Sequence, residues 1–497
     1  MRLVFSGIDF TQDLEPLIKE FYPSVTFESG NADGKTKALQ SCDFEEQSES
    51  KKTAQMMPPD RIDFVTDEEH FEIHIAGECL CNERLENISG NFRSEYRNRI
   101  MRALYRILSE KTGRTLPWGI LTGVRPAKLL LERLETNTVG NITYMTENFY
   151  CSPKKAGLAQ MVAGREMEML RELDYEKGYS LYVGMPFCPS ICNYCTFGSH
   201  PIGKYSELVE PYIDALCKEI TECSHIIKGL NLQTVYFGGG TPTAVSASQL
   251  KKVIDKVKSC FDFSYVREFT VEAGRPDSID EEKLRMLKDS GVSRISINPQ
   301  TMNDKTLEII GRKHTSEQTV KAFTMAREAG FDNINMDLIA GLSGENAEDM
   351  KYTLSEIEKL DPDSITVHTL ALKRAARLNT ESSAYEGLEA TGVREMVDYA
   401  ADYMHEHGYR PYYMYRLKNM SENLENVGYA KPGKEGYYNV LIMEERQIIL
   451  ALGAGASSKF VFDGEKRFGR VENVKSVVDY VARIDEMIDR KKSKRVL

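Results

Sequence analysis

The 497-residue chain has a single tryptophan, and it contains no run of the roughly 18 apolar residues that a membrane-spanning helix needs. Its opening stretch, MRLVFSGIDFTQDLEPL, lacks the apolar core and small-residue cleavage site of a secretory signal. A cytoplasmic location is therefore expected, with no membrane partner. A basic excess is also missing. Lys and Arg total 64 against 75 Asp and Glu, a formal charge of −11. Nucleic-acid binding needs clustered cations to meet phosphates, so no nucleic-acid partner is expected, although a local basic pocket for a small anion stays open. Nor is there a second C-x2-C pair of the sort that completes a two-knuckle zinc site. What remains, 41% hydrophobic and 28% charged residues, is ordinary globular composition.

The texture changes along the chain. Residues 1–150 read as an α+β accessory domain. Within it, residues 29–60 are polar and charged, in the manner of a loop or partly disordered segment. FEIHIAG (71–77) alternates as a strand does, residues 94–113 carry apolar side chains at helical spacing, and residues 122–134 form a helix with Pro126 in its first turn. A linker helix occupies 151–177. From 178 to 375, six apolar runs at 181–187, 234–239, 268–273, 294–298, 334–341 and 364–370 alternate with amphipathic helices. Strand–helix repetition of this kind implies parallel pairing with right-handed crossovers, hence an α/β barrel, open or closed, whose active site sits at the C-terminal ends of the strands. Residues 376–497 form a mixed α/β C-terminal domain that ends in a basic run read as a solvated tail.

Ten cysteines in such a chain point to metal or catalysis rather than to disulfides. Cys217, Cys223 and Cys260 lie in helical stretches and read as small buried hydrophobes. Cys79 and Cys81 alternate on a strand and read as packing, because no second pair accompanies them. The exception is YVGMPFCPSICNYCTF (182–197), which sets Cys188, Cys192 and Cys195 in a C-x3-C-x2-C pattern after an apolar run. Zinc with His200 as fourth ligand is one possible occupant; a [4Fe–4S] cluster that leaves one iron open is another.

A C-x3-C-x2-C loop after the first barrel strand, followed one strand later by FGGGTPT (237–243), resembles the radical S-adenosylmethionine superfamily. The fold implied is a partial (β/α)6 barrel. The cofactors implied are a [4Fe–4S] cluster on the three cysteines and S-adenosylmethionine chelating the open iron. Further positions resemble the oxygen-independent coproporphyrinogen III oxidases, and LTGVRPAKL and MYRLKNMSENLENVGYAKPG resemble their HemZ-type subgroup. Tyr182 precedes the first cysteine by six residues and Tyr194 precedes the third. Gly239, Gly240 and Thr241 match the glycine motif, Glu272 ends the third strand and Gln300 follows the fourth. Arg312 lies in IGRKH and Asp337 in DLIAGL. The resemblance assigns these residues to S-adenosylmethionine. Carboxylates suit its ribose hydroxyls, and Arg312 suits its methionine carboxylate bidentately. Taken singly, Glu272 also fits a rim salt bridge, Gln300 a helix cap and Tyr182 a core tyrosine, whereas Asp337 in an apolar strand needs a partner.

The activity implied is oxidative decarboxylation. A radical derived from S-adenosylmethionine removes a hydrogen from a propionate β-carbon, and loss of CO2 and one electron leaves a vinyl group. Two rounds convert coproporphyrinogen III to protoporphyrinogen IX, with a small electron donor such as flavodoxin or ferredoxin. Candidate cations for the substrate carboxylates are Arg275, Lys373, Arg374 and Arg377, the last three equally readable as a solvated helix face. The aromatic run 412-YYMY-415 reads as macrocycle paving or as core. Three positions depart from the main oxidase pattern. Phe197 stands where that enzyme has a further cysteine, Asn298-Pro299-Gln300 replaces G-x-Q, and Gly274-Arg275-Pro276 replaces N-P or D-P. They bear on a second S-adenosylmethionine and on substrate fit. The alternative is a haem chaperone of the same superfamily, or an enzyme acting on another tetrapyrrole. Tyr437-Tyr438-Asn439 lacks the histidine of the chaperone motif, which counts against haem binding there.

Overall fold

The computed structural model describes residues 1–23, 25–27, 58–85, 91–123, 125–174, 177–195, 198–371, 390–417, 424–462 and 467–493. The chain divides into two compact units, one of residues 1–124 and 137–160, the other of residues 125–136 and 161–497. The segment read as a loop or partly disordered stretch at 29–60 lies almost wholly outside the described residues.

The first unit contains a four-stranded sheet of β1 (Arg2–Gly7), β2 (Arg61–Thr66), β3 (His70–Ile75) and β4 (Glu78–Arg84), in that order. Strands β1 and β2 run parallel, and β2–β3–β4 is an antiparallel meander. Two helices, α1 (Thr11–Phe21) and α2 (Phe92–Thr112), pack against one another. Sequence rules locate α2 well: the Asn91 side chain caps it by accepting from the Ser94 amide, and Gly113 ends it at φ 64°. The alternation in β3 buries Phe71, Ile73 and Ile75 and leaves His70, Glu72 and His74 on the other face. Helix α4 (Asn141–Phe149) also belongs to this unit.

In the second unit, α3 (Pro126–Glu135) starts at Pro126. Helix α5 (Pro153–Arg171) leads to β5 (Gly178–Met185), and a short pair follows, β6 (Phe187–Cys188) with β7 (His200–Pro201). Then come α6 (Val209–Cys223), β8 (Asn231–Gly239), α7 (Ala247–Cys260), β9 (Glu268–Glu272), α8 (Glu281–Asp289), β10 (Arg294–Ser296), α9 (Asp304–Ile309), α10 (Ser316–Glu328), β11 (Ile334–Ala340), α11 (Ala347–Glu358) and β12 (Ser364–Thr369). The six apolar runs are thus six parallel strands, β5-β8-β9-β10-β11-β12 in spatial order. They form the partial barrel that the motifs imply.

The C-terminal residues continue the same sheet at both edges. On one side β14 (Asn426–Ala430) pairs antiparallel with β12 and carries β13 (Arg410–Tyr415). On the other, β15 (Ile448–Leu452) runs parallel to β5 and carries β16 (Ser457–Phe462) and β17 (Arg467–Glu472). Among the described residues the result is an eleven-stranded sheet.

Strand alternation decides what each face does. One face of β8–β12 presents Val235, Phe237, Val271, Ile295, Met336, Leu338, Ile365 and Val367, nearly all fully buried. The other presents Tyr236, Thr270, Glu272, Ser296, Asp337, Thr366 and His368, a polar set suited to a binding site.

Among the cysteines read as buried hydrophobes, Cys223 is buried, but Cys217 and Cys260 are only partly so. The packing role given to Cys79 and Cys81 also needs correction, since Cys79 is exposed and Cys81 half-buried. No helix among the described residues is long and apolar enough to cross a membrane.

The basic run read as a solvated tail begins inside a packed helix, Ile484–Lys492, which is tied to α6 by an ion pair between Glu219 and Lys491 at 2.7 Å, both side chains fully buried. Tyr480, Asn473 and the Gly453 amide donate to the same carboxylate. Removing one partner of such a pair leaves a buried charge uncompensated. Lys491→Met is expected to destabilise the protein by about 3–5 kcal/mol in chemical denaturation.

Candidate functional site

The cysteine loop leaves β5 at the C-terminal end of the parallel strands, and backbone bonds pin it on both sides. The His200 amide donates to the Pro186 carbonyl, the Ile202 amide to the Cys188 carbonyl, and the Cys195 amide closes a turn onto Cys192. Asn193 reaches across to the segment after α9: its amide donates to the Ile310 carbonyl and its side chain to that of Ile309, each at 2.9 Å. Gly311 is required at that crossing. Its φ is 75°, and a Cβ there would lie 3.1 Å from Asn193 Oδ1.

Two buried guanidinium groups brace the loop. Arg275, 3% exposed, holds Asp277 bidentately at 2.9 and 2.7 Å. Its remaining donors reach the Ser190 carbonyl and hydroxyl, with Cys192 Sγ at 3.8 Å. Arg312 donates through Nη1 to the carbonyls of Asn298 and Gly274, and through Nη2 to Tyr194 Oη at 3.1 Å. The Tyr194 ring packs on Leu307, Ile310, Ile339, Leu342 and Leu370. Cys192 is buried, while Cys188 and Cys195 are half-exposed. Burial pushes the Cys188 thiol up, against the hydroxyls of Thr241 (3.4 Å) and Ser199, which favour the thiolate.

The glycine motif closes against the same loop. The Gly240 amide donates to Met185 and the Thr241 amide to Phe187. A Cβ at Gly240 would lie 2.6 Å from the Phe187 carbonyl oxygen, so this position admits only glycine. Beside it a cavity of about 190 Å³ is bordered by Tyr182, Gly239, Gly198, Ala454, Gly455 and Lys475. Lys475 is exposed.

Deeper on the polar face, Tyr182, Tyr236 and Tyr438 form a stack, with ring centroids 6.2 Å apart for the first pair and 4.4 Å for Tyr236–Tyr438. Tyr236 donates to Glu272 Oε1 at 2.5 Å, and the Gly239 amide bonds the same carboxyl. Burial pushes the Glu272 carboxyl up to about 7, helped by the nearby charge of Asp337. Asp337 moves the other way. Burial works against its charge, but His368 at 3.8 Å and Asn335 at 2.7 Å outweigh it and hold the carboxyl below its ordinary value. Gln300, at φ 70°, exchanges backbone hydrogen bonds with the Asp337–Ile339 stretch of β11. Its Oε1, Ser296 Oγ and Arg312 Nε are buried and have no hydrogen-bond partner among the described residues.

The radical SAM superfamily model matches residues 182–357. The chain is 40% identical to the oxygen-independent coproporphyrinogen-III oxidase-like protein HemZ of Bacillus subtilis, over 80% of each chain. The chain belongs to the HemZ group of the radical SAM superfamily. It is also 33% identical to the heme chaperone HemW of B. subtilis, over 61% of this chain and 76% of that one. The solved coproporphyrinogen III oxidase (HemN) of Escherichia coli shares the fold, with a TM-score of 0.52 and 21% identity over 65% of this chain and 73% of that one.

Radical SAM proteins use a [4Fe–4S] cluster and S-adenosylmethionine. The residues present fit that pair. Three thiols share one braced loop, with cations and hydroxyls beside two of the sulfurs, and partnerless polar atoms lie buried along the strand ends. One sequence expectation requires correction. Arg275 does not present itself to a substrate carboxylate, because Asp277 and the cysteine loop already occupy its donors. The bidentate role given to Arg312 is likewise narrowed, since both terminal nitrogens are engaged and only Nε is unpartnered. Lys373, Arg374, Arg377 and Phe197 lie outside the described residues. In 412-YYMY-415, Tyr412, Tyr413 and Met414 are buried, while Tyr415 is half-buried with its hydroxyl 3.4 Å from His368 Nδ1. Tyr236 and Tyr438 were missed. Tyr236 had a signal: it precedes the glycine motif on β8 and lies opposite Tyr182 in register. Tyr438 stood out in the sequence only as a position of the chaperone motif, and the return of the C-terminal chain is what brings it onto Tyr236.

A raised carboxyl makes stability depend on pH with a definite sign. Between about 4.5, its ordinary value, and about 7, Glu272 is ionised when unfolded and neutral when folded. Its contribution is therefore fully present at low pH and is lost as pH rises to about 7. In denaturant titrations of the cofactor-free protein, Glu272→Gln is expected to gain on wild type across that window, with the difference constant above it.

Proposed function

We propose that the protein carries out oxygen-independent oxidative decarboxylation of the propionates of coproporphyrinogen III, yielding the vinyl groups of protoporphyrinogen IX. The observation that carries this reading is the cysteine loop, braced by Arg275 and Arg312 at the C-terminal ends of six parallel strands, in a chain of the HemZ group. Cys188, Cys192 and Cys195 would hold the cluster, and its vacant iron would take S-adenosylmethionine. Once reduced by an external donor, the bound pair would supply radical chemistry able to abstract a substrate hydrogen.

The chain's own residues then bind, orient and exclude water. Tyr182 and the Gly239–Thr241 turn flank the cosubstrate beside the cavity. Asp337, held ionised, accepts hydrogen bonds from ribose hydroxyls, and Glu272, poised near neutrality, accepts or donates. Gln300 and Arg312 Nε offer the remaining polar contacts. Arg312 also keeps Tyr194, and hence the loop, seated. Lys475 replaces Arg275 as the cation for a carboxylate at the mouth.

The relationship to HemW gives the second reading, a haem chaperone that keeps the cluster and performs no decarboxylation. Against it, Tyr438 occupies a stacking position on Tyr236 inside the barrel, in the segment where the chaperone motif has its histidine.

Anaerobic incubation with reductant, S-adenosylmethionine and coproporphyrinogen III separates the two. Decarboxylated porphyrinogen with matching 5′-deoxyadenosine is expected; stoichiometric haem binding without porphyrin product would overturn the proposal. Cys192→Ala is expected to lose iron and turnover together. Arg275→Met is expected to lower iron content, whereas a substrate-binding role would raise KM with iron unchanged.

A further inference from the structure

The first unit carries a second set of ligating side chains, independent of the cysteine loop and outside residues 182–357. On β3, His70, Glu72 and His74 alternate with the buried Phe71, Ile73 and Ile75 and share the sheet's other face. Glu72 Oε2 lies 2.7 Å from His74 Nε2, and Glu72 Oε1 lies 3.8 Å from His70 Nε2. Asp67 Oδ2 sits 2.6 Å from His70 Nδ1, which fixes that ring with Nε2 turned toward Glu72. Asn82 donates to Glu72 Oε1 at 2.9 Å and steadies the carboxylate.

The third member arrives through an irregularity in β4. On a regular strand Cys79 and Cys81 would point to the same face. Cys81 is paired with Ile73, on the apolar side, but the register then shifts, and Cys79 falls opposite His74 rather than Ile75. This bulge moves Cys79 onto the face of the histidines. Donor atoms of Glu72, His74 and Cys79 all lie within 4.8 Å of one another. Ligands bound tetrahedrally at 2.0–2.3 Å stand roughly 3.5 Å apart, a gap that side-chain rotation closes.

From this geometry we infer that Glu72, His74 and Cys79 form a binding site for a borderline divalent transition metal, Zn2+, with the remaining coordination position open to solvent. A thiolate and an imidazole select zinc over calcium or magnesium, which take oxygen ligands. The bulge has a purpose in this reading: it delivers a thiol that a regular strand would turn inward.

The test uses the full-length protein with its iron content intact. After equilibration with Zn2+ and desalting, zinc analysis is expected to give one equivalent per chain. Cys79→Ser and His74→Gln lose that equivalent with iron unchanged. Co2+ in place of zinc gives a thiolate charge-transfer band that is absent in Cys79→Ser and retained in Cys81→Ser, whose thiol faces the other way. Wild-type protein that retains no zinc, or Cys79→Ser and His74→Gln variants that retain it fully, would overturn the assignment.

Discussion

The cysteine loop is seated by two buried guanidinium groups, and the chemistry proposed for this chain depends on them. Arg275, after β9, and Arg312, after α9, both hydrogen-bond to the loop. Each is compensated, the first by Asp277 and the second by backbone carbonyls and a tyrosine hydroxyl. A buried cation so compensated is fixed in direction. Three thiols within eight residues (188–195) would otherwise sample many arrangements, with an entropic cost at every loading of the cluster.

The barrel beneath is made for a polar occupant. Its helix-facing side is almost wholly aliphatic, while its inner side carries tyrosines, carboxylates, an imidazole and hydroxyls. Two of those carboxylates are driven apart in acidity by their surroundings, Glu272 upward and Asp337 downward. Paired groups with opposed shifts are a common mark of a functional site. The C-terminal strands extend the sheet at both edges and deliver Tyr438 to the inner face and Gly455 and Lys475 to the cavity's border.

Much of this was legible before any coordinates. The six parallel strands follow from apolar runs separated by amphipathic helices, and the C-x3-C-x2-C loop with FGGGTPT locates the site. The failures have identifiable causes. Arg275 reads as a free cation because Asp277 and Ser190 are engaged through side-chain geometry that spacing alone does not reveal. Cys79 and Cys81 read as equivalent because an i, i+2 pair shares a face on a regular strand, and a register shift leaves no mark in composition.

The sequence by itself determined the fold class, the superfamily and the identity of the three thiols, because each is a local pattern: periodicity in the strands, spacing in the loop, glycine where the backbone closes. Only the tertiary structure decided which cations brace the loop, which tyrosines line the barrel and which cysteine of β4 faces the histidines. Those outcomes depend on contacts between residues distant along the chain, or on a single-residue offset between paired strands, and neither is encoded in any short window of sequence.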